Sequence, residues 1–151
     1  MKILVSRCLL GEACRYDGRS KPCAALEKLR LAGHELIDVC PECDGGLDTP
    51  RPPAELQPNG RVVNQEGRDV TAEYRRGAEI ALDTARKKGC QAAVLKARSP
   101  SCGVDSRYDG SFTGTLIPGQ GVTAALLSSL PIRLVDENHI DSLLGGAAGQ
   151  E

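Results

Sequence analysis

Cysteines and one carboxylate are the residues here that could do chemistry. Cys40, Glu42 and Cys43 stand in Cys40-Pro41-Glu42-Cys43, directly after an apolar run (Leu36, Ile37, Val39) and directly before Gly45-Gly46 and the prolines 50, 52 and 53. A buried strand ending in a stiff loop delivers thiols and a carboxylate to one place. The arrangement recurs twice: Ile3-Leu4-Val5 runs into Cys8, and Ala92-Ala93-Val94-Leu95 runs into the stretch holding Ser101, Cys102 and Gly103. If the three strands are parallel neighbours, their C-terminal ends share one edge of a sheet and the three cysteines converge there.

Soft thiolates select zinc, copper(I) and iron-sulfur clusters. Cys40 and Cys43 form a C-x-x-C, but no second such pair exists, and neither His34 nor His139 stands at zinc-finger spacing from a cysteine. That makes a structural zinc site weak, and both histidines read as ordinary surface or satisfied residues. A redox C-x-x-C places its first cysteine at a helix N-terminus, where the dipole lowers the thiol pKa. Glycines and prolines follow here, which argues against a thioredoxin-like enzyme. Three thiolates at three strand ends suit instead a cubane cluster with one iron free of protein ligands, able to act as a Lewis acid. Gly45, Gly46 and Gly103 would let backbone amides approach such a cluster. Glu42, two residues beyond Cys40, and Ser101, one before Cys102, would then serve as general base and proton-transferring hydroxyl. On spacing alone, a surface carboxylate and a turn serine explain them equally well.

The elements that must position these groups follow from the pattern. With 151 residues, 40% of them hydrophobic, the chain can bury one good core and is too short to favour two domains. Strands are expected at Lys2–Val5, His34–Val39, Gln91–Lys96 and Ile132–Val135. Helices are expected after Pro22 up to Gly33, from an Asp69 N-cap to Gly89, over Val122–Leu130 and over Glu137–Leu144. Asn59-Gly60 between short extended segments signals a hairpin with a tight primed turn. The glycine-rich stretch 97–121 reads as a long functional loop, and residues 145–151 as a frayed, flexible tail after a domain spanning 1–144. The fold class is thus α/β, a three-layer, Rossmann-like domain with a mostly parallel sheet and a small β-hairpin. Arg15-Tyr16-Asp17-Gly18 and Arg107-Tyr108-Asp109-Gly110 form a small repeat, read as two turns of like chemistry.

Composition narrows the partners. Lys and Arg number 19 against 20 Asp and Glu, and aromatics make up 3%, so neither a phosphate-binding footprint nor a stacking platform for nucleic acid is supplied. The apolar run after Met1-Lys2 breaks at Ser6-Arg7, too short for a signal peptide, and no segment approaches a membrane span. Seven cysteines, an odd number, then suggest a cytoplasmic protein using thiols for metal or thiol chemistry rather than disulfides.

The runs SRCLLGEACRYDG, VCPECDGGLDTPRPPAE and LKARSPSCG, in this order and with DVTAEYRRGAEIAL between the last two, resemble the DUF523 family, whose studied members are thiouracil desulfidases. The resemblance covers about Ile3 to Val135. It implies a single-domain enzyme with a [4Fe-4S] cluster held by Cys8, Cys40 and Cys102, and Glu42 and Ser101 as the catalytic pair. It further implies a small-molecule substrate, a thiolated nucleobase or nucleoside whose sulfur leaves as hydrosulfide without net redox change. Cys43 departs from the family pattern; a fourth thiolate there would close the open iron, and the loop is expected to point it elsewhere. Cys14, Cys23 and Cys90 are assigned to packing, and Lys96 either to orienting substrate or to an ion pair. The competing reading is a non-catalytic zinc- or iron-sulfur-binding regulatory module using Cys40, Cys43 and a third thiol.

Overall fold

The computed structural model describes residues 1–19 and 22–144. Four strands, β1 (Lys2–Ser6), β2 (Glu35–Val39), β5 (Ala92–Leu95) and β8 (Arg133–Asp136), form a wholly parallel sheet in the order β2-β1-β5-β8. Val5 stands opposite Asp38 on one side and Val94 on the other, and Leu95 opposite Asp136. The central strands are continuous apolar runs because both their faces are covered. Ile3 and Val5 pack with Leu26, Leu29, Ile140 and Leu143 on one face. Leu4, Ala93 and Leu95 pack with Ala81, Ala85, Ala124 and Leu127 on the other. The layers are therefore helix α1 (Ala25–Leu31) with the helical turn 141–144, then the sheet, then α3 (Thr71–Lys88) with α4 (Val122–Leu127). This is the expected three-layer α/β architecture. The strand order reverses between β1 and β5, and the crevice outside such a switch point is where α/β sheets bind ligands.

Most boundaries differ from the sequence reading by a residue or two. Pro22 lies ahead of α1 rather than inside it. Val70 takes the N-cap place of α3, and Asp69, one residue earlier, accepts the Thr71 N–H at 2.9 Å through Oδ1. Gly89 ends that helix at φ +70°. The stretch 145–151, expected to be a flexible tail, lies outside the described residues. Among the described residues no helix is long and apolar enough to cross a membrane.

Two smaller sheets were harder to read. The expected hairpin is β3 (Ala54–Leu56) with β4 (Val62–Asn64), antiparallel. Its turn is not the two-residue primed type: Gly60 alone has positive φ, at +86°, and donates to the Gln57 carbonyl at 2.9 Å while the Gln57 N–H reaches Arg61 at 2.7 Å. Pro58, whose ring holds φ negative, shifts the turn to a longer loop with glycine at its close. The stretch 97–121 is no plain loop. It contains an antiparallel pair, β6 (Ser106–Tyr108) and β7 (Leu116–Pro118). Glu55 fastens its tip, one carboxylate oxygen accepting Gly110 N–H at 2.9 Å and Phe112 N–H at 3.1 Å.

The turn after β2 is itself a one-turn helix, α2 (Pro41–Asp44), seated tightly on α3. A Cβ on Gly77 would lie 1.8 Å from the Pro41 carbonyl oxygen, and one on Gly45 would lie 2.0 Å from that of Glu73. Gly45 thus serves backbone packing, as does Gly103, whose added Cβ would meet the carbonyls of Ser106 and Ser99 at 2.6 and 2.8 Å. Gly77→Ala is expected to lower stability by about 3 kcal/mol, as overpacked cores do, and to displace Glu42 with α2. Urea unfolding and turnover on the same protein would show both.

Candidate active site

Each thiol expected at the sheet edge is placed there by a turn that follows a strand. Cys8 sits in the 3-10 turn Arg7–Leu10, which closes when the Gly11 N–H reaches the Cys8 carbonyl at φ +99°. Cys40 is the N-cap of α2, with Pro41 in the first turn where its missing N–H is harmless. The Cys40 N–H is taken by Asp44 Oδ2 at 3.1 Å. Cys102 follows β5 in a turn organised by Ser99, whose hydroxyl accepts the Cys102 N–H at 2.9 Å. All seven cysteines are free thiols.

Cys8, Cys40 and Cys102 are buried and border one cavity of about 500 Å³, together with Glu42 and the Tyr74 side chain. Arg15, Tyr16, Arg51, Lys96, Arg98, Tyr108 and Phe112 are among the other residues of its wall. Burial pushes the Cys102 thiol up to about 12, with the Ser6 hydroxyl pulling the other way. The Cys40 thiol is raised as well, by the neighbouring Cys14 thiol first and burial second. The expectation that no helix follows Cys40 was wrong, since α2 begins there. A raised thiol is the opposite of what a thioredoxin-like nucleophile needs.

Cys14 and Ser101 sit otherwise than the sequence suggested, and Lys96 takes one of its two expected places. Cys14, assigned to packing, borders the same cavity. Its thiol, eased by Cys40 but pushed up by Cys8 and by burial, rises to about 12. Ser101 is fully buried and does not border the cavity; its hydroxyl pairs with Thr123 Oγ1 at 2.6 Å. Ser101→Ala strands the Thr123 hydroxyl in the interior. The expected loss is about 1 to 3 kcal/mol of stability, the penalty for a buried polar group left unpaired, with a smaller effect on turnover than any change at Glu42. Thermal unfolding beside a rate measurement separates the two. Lys96 is in an ion pair, 3.0 Å from Glu137 Oε2.

Cys43 is absent from the cavity wall, and its sulfur lies 3.2 Å from Thr49 Oγ1 and 3.6 Å from the Cys14 carbonyl oxygen. The repeat does form two Asp-Gly turns, Gly18 at φ +75° and Gly110 at +98°, but it also sets Tyr16 and Tyr108 on the cavity wall. Arg51 was missed altogether. Its guanidinium, 7% exposed, pairs with Glu42 at 3.0 Å. Only its place in the proline-rich run with Glu55 hinted at a role. His34 and His139 keep away from the thiols, His34 Nδ1 lying 2.9 Å from the amino terminus and His139 Nδ1 2.7 Å from Asp136.

The fold and site together define an α/β protein with a thiol-lined pocket at the switch point of a parallel sheet. Residues 3–139 match the family model for 2-thiouracil desulfurase, and the chain belongs to that family. The resemblance carried by the three motifs is thereby borne out. The uncharacterized protein YbbK of Bacillus subtilis (strain 168) is 42% identical over 153 residues, covering 94% of this chain and 99% of YbbK. Among solved structures, the [4Fe-4S]-dependent thiouracil desulfidase TudS matches with a TM-score of 0.89 and 45% identity, over 97% of each chain.

Proposed function

We propose that the protein is a non-redox desulfidase. It converts a thiolated pyrimidine base or nucleoside, such as thiouracil, to the oxo form and hydrosulfide at a [4Fe-4S] cluster held by Cys8, Cys40 and Cys102. The observation that carries this reading is the meeting of those three buried thiols and Glu42 on one cavity wall. The donor set suits the group. Among the described residues, the one set of three ligand-type side chains gathered closely enough for a single ion is Asp105, Asp136 and His139, which contains no cysteine. Wider-spaced soft sulfurs fit a cluster better than a lone zinc. The identity to TudS over nearly the whole chain supports the same reading.

When bound, the cluster supplies Lewis acidity at an iron without a protein ligand, which a soft thiocarbonyl sulfur can meet. Glu42 accepts one proton from the water that adds to the ring carbon and returns it to the departing sulfur, which leaves as hydrosulfide, while the added hydroxyl gives its remaining proton to solvent as the carbonyl forms. Ser101 assists as the second member of the catalytic pair, its hydroxyl beside Cys102 in sequence and paired with Thr123 Oγ1 at 2.6 Å. A cytoplasmic setting, where thiols stay reduced, suits seven free cysteines. Anaerobic purification tests the proposal. A brown protein with iron and acid-labile sulfide that releases hydrosulfide from 2- or 4-thiouracil is expected. A colourless zinc protein without turnover would replace the enzyme with a regulatory metal-binding module.

A further inference from the structure

Arg51 makes more connections than an ion pair needs. Its Nε donates to Glu42 at 3.0 Å, Nη2 to the Cys14 carbonyl at 2.9 Å, and Nη1 to the Asp48 carbonyl and the Thr49 hydroxyl, both at 3.0 Å. The Arg51 backbone N–H adds a bond to the Tyr16 carbonyl at 2.7 Å. One residue thereby spans the loop after β1, which follows Cys8, and the turn after β2, which carries Cys40 and Glu42. The planar fork of a guanidinium can serve these directions together, whereas an ammonium cannot. On the other side of Glu42, the Tyr74 hydroxyl faces the carboxylate from α3, its ring sealed in the core at 2% exposure. Glu42 is left with little freedom to turn while it still borders the cavity.

We infer that Arg51 is a positioning residue for the reaction. It aims the Glu42 carboxylate and ties the Cys8 loop to the Glu42 turn, so that base and thiols hold their spacing. The inference rests on Glu42 acting as the base. Its physical content is that a catalytic group held in its reacting orientation is far more effective than one free to rotate, and small misplacements are expensive.

The test uses holoenzyme carrying Arg51→Ala, Arg51→Lys or Glu42→Gln, with iron, acid-labile sulfide, kcat and KM measured for thiouracil. Arg51→Ala is expected to lower kcat about 100-fold, to change KM far less, and to regain part of kcat when millimolar guanidinium ion is added. Arg51→Lys, although still cationic, is expected to stay impaired with its cluster retained. Adding Arg51→Ala to Glu42→Gln is expected to lower kcat by less than the product of the two single effects, because part of what Arg51 does passes through that carboxylate. Arg51→Lys at wild-type kcat beside an impaired Glu42→Gln overturns the inference and leaves the base in place. So does an Arg51→Ala protein whose activity falls only in step with its iron content and does not respond to guanidinium. A Glu42→Gln enzyme at full rate removes the base itself, a different outcome that the same set of proteins reveals.

Discussion

Glu42→Gln is expected to slow hydrosulfide release from thiouracil by about 100- to 10,000-fold, the range spanned by general acid-base groups. The amide is nearly the same shape as the carboxylate and keeps an oxygen for the Arg51 Nε, which lies 3.0 Å away in the native protein. Packing is therefore preserved, and what disappears is the capacity to accept a proton. Arg51 loses its counter-charge but keeps the Cys14 and Asp48 carbonyls and the Thr49 hydroxyl as acceptors, so the loops stay tied. Iron and sulfide content should match wild type. A single-turnover assay under anaerobic conditions, with cluster content measured on the same sample, reads the chemical step directly. Unchanged turnover would move the base elsewhere on the cavity wall.

Cys102→Ser is expected to remove essentially all bound iron and all activity, whereas Cys43→Ser is expected to retain both. Cys102 is 5% exposed and borders the cavity with Cys8 and Cys40, and a serine hydroxyl is a far harder ligand than a thiolate. Its thiol also resists ionisation, with burial holding its pKa at about 12. The charge of a bound metal would offset that penalty, and with Cys102 replaced the proposed cluster would keep only two of its three protein sulfurs. Cys43 does not border the cavity, and its sulfur is engaged by the Thr49 hydroxyl at 3.2 Å and by Arg51 Nη1 at 3.6 Å. Iron analysis and visible absorbance of both variants decide the matter. Retention in Cys102→Ser together with loss in Cys43→Ser would redraw the ligand set around the C-x-x-C.

The parts of the fold that were legible are those where local pattern and tertiary environment agree. Ile3-Leu4-Val5 and Ala92 to Leu95 are fully buried on both faces, and a strand so placed has to be a continuous apolar run. The α3 helix shows its face through Tyr74, Ala78, Ala81 and Ala85 at helical spacing. The β6–β7 pair gave no such signal. Ser106, Arg107 and Tyr108 are all half-buried, and the excursion is stabilised by Glu55, by Gln57 reaching the Gly110 carbonyl at 3.1 Å, and by Arg107 reaching that of Leu56 at 3.1 Å. Partners some fifty residues away leave no periodicity in the stretch itself.

By itself, the amino-acid sequence determined that strands precede Cys8, Cys40 and Cys102 and that a carboxylate stands beside the second of these. The strands' apolar runs and the breaking residues after them are local properties. Tertiary structure alone decided which way the groups in the turns face. It brought Cys14 to the cavity and left Cys43 off its wall, sank the Ser101 hydroxyl against Thr123, and made Arg51 the link between two loops. In a tight turn, neighbouring side chains diverge, and each settles toward whichever partner the rest of the chain brings within hydrogen-bonding reach.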